Sequence, residues 1–206
     1  MKDNNLQFSV AILAAGQGQR LGYPKSLMHS GHEYILIDLL EQVKNLNPFE
    51  VLVVLGAEVD TIYPLIPSWS RIIVNDQWYL GMSSSIKCAL KSVSKESSGV
   101  LLLTCDQILI RTHHLERIVN LLLKCDSTEA CIASSYQGTF GIPCFIGAAH
   151  FSDFRILQGD QGAKSILRTL DPTLVTIDEA FYDVDTQDDL QSCLKKITLL
   201  DSKKRR

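Results

Sequence analysis

The chain reads as one α/β domain of three layers, a mainly parallel sheet with helices packed on both faces. Three observations predict this. Apolar runs of strand length recur along the chain, and each is followed by a stretch with helical spacing of apolar residues. The runs are apolar at successive positions rather than alternating, the pattern of strands buried on both faces. Across 206 residues there is no internal repeat, low-complexity tract or linker, so a single core suffices, burying roughly 70% of the extended chain's surface. Strands alternating with helices imply right-handed crossovers, and ligands of such sheets bind at the carboxyl ends of the strands.

The elements follow in order. Phe8 to Ala15 is the first strand, stopped by Gly16. Leu36, Leu39, Leu40, Val43 and Leu46 then give one helical face, closed by Pro48. Val51 to Leu55 is the second strand, ended by Gly56; a short helical piece from Glu58 to Leu65 leads to a third strand at Arg71 to Val74. After Gly81 a helix is predicted from about Ser84 to Val93, with Ser83 to Ser85 as its cap candidates, and then a fully apolar strand from Gly99 to Thr104. Leu115, Ile118, Val119 and Leu122 share a helix face, Ala130 to Ser134 is another strand, and Val175 and Ile177 precede a last helix starting near Thr186. Structurally, the glycine-rich segments at 138 to 143 and 159 to 162 could equally be turns, the second with Asp160 capping a helix that carries Ala163, Ile166 and Leu167.

Composition narrows the function. With 46% hydrophobic and 21% charged residues and a formal net charge of −3, the chain has no electrostatic footprint for nucleic acid or a membrane surface. The N-terminal MKDNN is polar and the run Val10 to Ala15 is too short for a signal or a span, so a cytoplasmic protein is expected. Six scattered cysteines without a C-x-x-C pair read as small buried hydrophobes in a reducing compartment, and the five histidines lack the spacing of a zinc site. The expected organisation is a domain over residues 1–200 and a basic, frayed tail over 201–206.

The chemistry concentrates where the first strand ends. From Gly16 to Lys25 the loop carries glycines at 16, 18 and 22, the cations Arg20 and Lys25, and no acidic residue. Glycines let backbone N–H groups approach phosphate oxygens, and the two cations neutralise charge, so the loop suits an oligophosphate. The plain alternative is a mobile surface loop. A dinucleotide fingerprint is excluded by Leu21, where a third small residue is required, and a P-loop by Pro24 before Lys25. Asp106 ends the strand VLLLTCD, where a carboxylate is a natural magnesium ligand or, equally, a turn-former. Asp183 and Asp185 frame a second acidic corner, DVDT, which Thr186, Asp188 and Asp189 could also explain as a capped helix start.

The loop LAAGQGQRLGYPKSLM closely resembles the signature of the molybdopterin-type nucleotidyltransferases, in particular the molybdenum cofactor cytidylyltransferases. NDQWYLGMSSSIKCAL, LLLTCDQ, GTFGIPCFIG, LQGDQGAKSIL and DVDTQDDL resemble that family's later motifs in the same order, over residues 8 to 190. The resemblance implies a Rossmann-like nucleotidyltransferase fold with a mainly parallel mixed sheet. It implies that Leu13, Ala14, Ala15, Gly16, Gly18, Arg20 and Lys25 hold the triphosphate and its nucleoside, with Arg20, Lys25 and Asp106 catalytic. Gly81, Ser84 and Ser85, with Asn75 nearby, would present groups to the base. Asp106 and one of Asp183 and Asp185, by preference Asp185, would hold Mg²⁺; the residues themselves leave that choice open. Gly141, Pro143, Gly159, Asp160 and Gly162 would face the acceptor.

Ala15 stands where guanylyl-transferring relatives typically have glycine, and Pro24 where they carry an acidic residue, which favours CTP over GTP. Two positions depart from the pattern, Ile108 in place of proline and Ile142 in place of histidine. The expected reaction is transfer of CMP from CTP to a molybdopterin-type acceptor, whose product a molybdoenzyme would receive. Rival readings are a guanylyltransferase of the same pathway, a sugar- or polyol-phosphate nucleotidyltransferase, and a non-catalytic carrier.

Overall fold

A computed structural model describes residues 6–30 and 32–204, with side chains as far as Leu199. Seven strands form one sheet: β1 Ser9–Ala14, β2 Glu50–Leu55, β3 Arg71–Val74, β4 Gly99–Thr104, β5 Cys131–Tyr136, β6 Thr139–Gly147 and β7 Thr173–Thr176. Their order is β3-β2-β1-β4-β6-β5-β7. All pair in parallel except β6, which runs antiparallel to both β4 and β5. The mainly parallel mixed sheet is therefore as expected.

Burial explains why the central strands are apolar without alternation. Val10, Ile12 and Ala14 of β1, with Val51, Val53 and Leu55 of β2, face a core closed by helices α1 (Ile35–Lys44) and α4 (Thr112–Leu122). Ala11 and Leu13, with Leu52 and Val54, face the opposite core, closed by α3 (Met82–Ser92) and α5 (Lys164–Leu167). Both faces of the central strands are thus dry, and each buried leucine or isoleucine contributes about 1.5–3 kcal/mol of transfer free energy. A short α2 (Val59–Ile62) connects β2 to β3. The last helix, α6 (Gln187–Lys204), extends to Lys204 into the stretch expected to fray; residues 205 and 206 lie outside the described residues.

Three local readings change. Residues 139–147 form β6, a strand rather than turns, because Gln137 (φ 47°) and Gly138 (φ 71°) make a two-residue hairpin turn that returns the chain beside β5. Helix α3 starts at Met82, so the serines lie inside its first turns; its N-cap is Gly81, and no serine caps it. Helix α5 is capped by Ala163, leaving Asp160 outside it. Of the cysteines, Cys105, Cys144 and Cys193 are buried, whereas Cys125 is exposed. Among the described residues no helix is long and apolar enough to cross a membrane.

A third, smaller cluster matters for the site. Leu21 and Met28 from the glycine loop pack with Ile108 and Leu109 after β4 and with Val184, Leu190 and Cys193 around the start of α6. It clamps three segments that are far apart in sequence against one edge of the sheet.

Candidate active site

The site lies at the carboxyl edge of β1 and β4. Past β1 the glycine loop turns on itself: Leu21 and Gly22 donate their backbone N–H groups to the Gly18 carbonyl at 3.0 and 2.9 Å. Gly18 is required there. Its φ is +66°, and a Cβ would lie 2.0 Å from the Tyr23 carbonyl oxygen. This fold of the loop carries Lys25 back towards β4. The Val184 N–H donates to the Asp106 carbonyl at 3.0 Å, which docks the DVDT corner beside the end of β4.

Four charged groups then meet. Lys25 Nζ lies 2.7 Å from Asp106 Oδ2 and 2.7 Å from Asp185 Oδ1, and Arg20 Nη2 lies 2.8 Å from the same Asp185 oxygen. Burial by itself would weaken the Lys25 ammonium, but Asp106 and Asp185 outweigh it and hold its pKa above the usual lysine range. Arg20 is different in kind: its side chain is 72% exposed, so it can leave Asp185 for a ligand at little cost. Thr186 and Asp189 cap α6 reciprocally. Asp189 Oδ2 accepts from the Thr186 N–H at 2.9 Å, and the Asp189 N–H donates to Thr186 Oγ1 at 3.2 Å, which steadies Asp185 next door.

Asp183 points elsewhere. Partial desolvation of the carboxyl in an otherwise exposed residue, and then the neighbouring Asp106 carboxylate, push it up to about 7. Asp185 pairs with Lys25 beside Asp106, whereas among the described residues Asp183 makes no ion pair.

Two cavities meet at Asp106. The first, about 410 Å³, is lined by Leu13, Ala15, Gly16, Gly18, Lys25, Gly81 and Ser85 among the residues expected to bind nucleotide. Gln17, Gln19, Trp78, Tyr79, Met82, Thr104 and Cys105 complete much of its wall, and sequence reasoning had not singled them out. Cys105 is no nucleophile, since burial raises its thiol to about 12. Ala14 turns into the opposite core. Asn75 and Ser84 stand behind the wall: Asn75 Nδ2 donates to Ser84 Oγ at 2.9 Å and to Ser85 Oγ at 3.1 Å, and Ser84 Oγ donates to the Gly81 carbonyl at 2.8 Å. They position Gly81 and Ser85 rather than lining the cavity themselves.

The second cavity, about 180 Å³, is lined by Gly141 and Gly162 of the expected acceptor residues, with Gln107, Tyr136, Phe140, Asp183 and Lys164. Lys164 is the cation on its wall; its ammonium donates to Thr139 Oγ1 and lies 5.9 Å from the Phe140 ring centroid. Gln107 holds the two sides together, its Nε2 donating to the carbonyls of Ile142 and Ala180, both at 2.8 Å. Pro143, in a cis peptide bond with Ile142, is buried and lines neither cavity. Gly159 likewise lines neither, and Asp160, expected on the acceptor side, lines the first cavity instead.

The sequence pattern of the MobA-like NTP transferase domain matches residues 10–174, which include the loop, β4 and both cavity walls up to Lys164. The chain belongs to the MobA-like NTP transferase family. This NTP transferase is 26% identical over 168 residues to the purine catabolism protein PucB of Bacillus subtilis, covering 77% of this chain and 79% of that protein. Its fold is similar to that of the Rv0371c homologue from a Mycobacterium species, with a TM-score of 0.80 at 26% identity, covering 94% and 98% of the two chains. It is also similar in fold to molybdopterin-guanine dinucleotide biosynthesis protein A from Archaeoglobus fulgidus, with a TM-score of 0.67 at 17% identity, covering 93% and 99%.

The donor set tests whether a metal fits. Asp106 Oδ2 and Asp185 Oδ1 meet at the Lys25 ammonium, and the two carboxylates together are an all-oxygen set of the kind a hard divalent ion takes. Among the described residues no cluster of three or more His, Cys, Asp or Glu could hold a metal on protein ligands alone. A divalent ion held by these two carboxylates would complete its shell with phosphate oxygens and water.

Proposed function

We propose that this NTP transferase moves CMP from CTP onto a phosphate-bearing acceptor, molybdenum-molybdopterin, releasing pyrophosphate and forming molybdopterin cytosine dinucleotide. The observation that carries the reading is the position of Asp106 between two cavities, one floored by the glycine loop and the other walled by Lys164. A triphosphate bound in the first would present its α-phosphorus near Asp106, facing an acceptor phosphate in the second. Ala15, and Pro24 before Lys25, support cytidine over guanosine through the family resemblance.

In this reading an acceptor phosphate oxygen attacks the α-phosphorus in line. A new P–O bond forms, the α–β bridging P–O bond breaks, and its electron pair leaves on pyrophosphate. With a second pKa near ~6 the acceptor phosphate is already largely a dianion at neutral pH, so no general base is needed. Catalysis rests on positioning and on charge. The backbone of Gly16 and Gly18 seats the phosphates, Lys25 and the exposed Arg20 take up charge on the leaving pyrophosphate, and Lys164 orients the acceptor. Asp106 and Asp185 would hold Mg²⁺, which when bound supplies Lewis-acid stabilisation of the phosphoryl oxygens.

The test is pyrophosphate release by the purified chain with magnesium, crossing CTP, GTP, ATP and UTP against molybdopterin and a set of sugar and polyol phosphates. Release dependent on CTP and molybdopterin together is expected. Release with GTP or with a sugar phosphate would reassign base or acceptor, and tight nucleotide binding without release would make the protein a carrier.

A further inference from the structure

We propose that Asp160 reads the nucleobase, so that the first cavity selects a triphosphate whose base carries an exocyclic amino group and rejects uracil. The inference rests on the nucleotidyl-transfer reading above and deepens it by naming the selecting residue. The cavity wall joins two kinds of group: the glycine loop with Lys25, suited to phosphate, and Trp78, Tyr79 and Met82, flat or flexible apolar groups suited to a ring. Asp160 lines the same cavity beside Gly81, the residue that precedes Met82. A Cβ on Gly81 would lie 2.4 Å from Asp160 Oδ1, so the carboxylate is seated against that turn. Its loop is tied there by the Ser83 N–H, which donates to the Gly159 carbonyl at 3.1 Å.

Two polar groups of this cavity have unspent capacity. Asp160 is exposed, and among the described residues no hydrogen bond or ion pair engages its carboxylate, so it can exchange solvent for a ligand donor. Ser85 is only 6% exposed; its Oγ accepts from Asn75 Nδ2, and its own proton has no acceptor among the described residues. The cavity therefore offers one acceptor-only group and one O–H donor. Cytosine complements this pair, since its amino group donates and the adjacent ring nitrogen and keto oxygen accept. Uracil places a carbonyl oxygen where cytosine has the amino group. Set against a carboxylate, that oxygen leaves two acceptors facing each other, unpaired and mutually repelled.

The experiment is calorimetric titration of the full chain with CTP and with UTP, each with magnesium, in the wild type, Asp160→Asn and Asp160→Ala. The wild type is expected to bind CTP at least tenfold tighter than UTP. Asp160→Asn, whose carboxamide can donate as well as accept, is expected to shrink that ratio about tenfold, mostly by improving UTP; Asp160→Ala should shrink it by weakening CTP. An unchanged ratio in both variants overturns the assignment while leaving nucleotide binding intact. Equal losses for CTP and UTP would place Asp160 at the ribose, which the two share, and overturn it as well. If the wild type binds neither nucleotide, the nucleotidyl-transfer reading itself fails and this inference with it.

Discussion

Replacing Lys25 by methionine keeps the length and much of the packing of the side chain and removes one charge from between two carboxylates. Its ammonium sits 2.7 Å from an oxygen of Asp106 and of Asp185. With charge centres about 4 Å apart and an effective dielectric of ~20, each pair carries about 4 kcal/mol of attraction. Desolvation and the solvent access of all three groups offset most of it, leaving a net loss of about 1–2 kcal/mol on substitution. For a chain of 206 residues that is a fall in melting temperature of about 2–8 °C, measurable by circular dichroism. The effect on catalysis should be far larger. Removing one preorganised group that stabilises developing charge costs about 10²–10³ in turnover, read as pyrophosphate release at saturating CTP, magnesium and acceptor. Lys25→Arg should restore most of the thermal stability but little of the turnover, because a planar fork cannot place a point charge equidistant from both carboxylates. A folded Lys25→Met protein turning over within tenfold of the wild type would refute the reasoning that this charge acts on the triphosphate.

Asp185→Asn should weaken magnesium-dependent CTP binding tenfold or more, and Asp183→Asn less than threefold, in titrations at several magnesium concentrations; the reverse order would move the second metal ligand to Asp183. Gly81→Ala should destabilise the fold by about 2 kcal/mol or more in urea unfolding, since φ is +94° and the new Cβ would meet Gly159 and Asp160 within 2.6 Å; a smaller loss would mean that the 159–162 loop is not packed on this turn. His114 should make stability sensitive to acid. Burial lowers it to about 4, its Nδ1 accepts the Arg111 N–H at 3.2 Å, and its Nε2 faces Glu179 at 3.4 Å. Because its folded value is below the unfolded value of about 6.5, the unfolded chain takes up the proton first. Its contribution is complete above that value and is lost as pH falls towards 4, about 2 kcal/mol between pH 7 and 5. Urea unfolding of wild type and His114→Gln at both pH values should differ in slope by that amount, and parallel curves would remove His114 from the account.

Much of the frame was legible because burial on both faces leaves a direct trace in sequence. VLLL and VAILA have no polar position to alternate, and the helices facing them carry apolar residues at helical spacing. The convergence of Arg20, Lys25, Asp106 and Asp185 was legible for a related reason: in a parallel sheet the strand ends share one edge. Strand β6 was not, because Gly141 and Pro143 signal turns locally, and its antiparallel pairing with β4 and β5 depends on partners far away in sequence. The serines of α3 looked like caps because serine prefers caps, but Gly81 performs that role and frees them to form a buried network with Asn75. Which cavity a glycine-rich loop lines is not written in the loop: Asp160, expected to face the acceptor, lines the same cavity as Gly16 and Lys25. Trp78 and Tyr79 could have been found, as an aromatic pair immediately before the Gly81 turn. Lys164 could have been found too, as a cation closing the GDQGAK segment.

The reversed direction of β6 has a consequence for how this architecture diversifies. A parallel strand would bring its terminus to the catalytic edge and send its entry loop to the far side. Running backwards, β6 delivers its entry, and with it the Gln137–Gly138 hairpin, to the mouth of the cavity that contains Gly141. Insertions in that hairpin lengthen only the rim of one compartment, while the glycine loop on β1 keeps its registry with β2 and β4. In the proposed reaction, the acceptor side could therefore be re-tailored to a new recipient without disturbing the side that would handle the nucleotide.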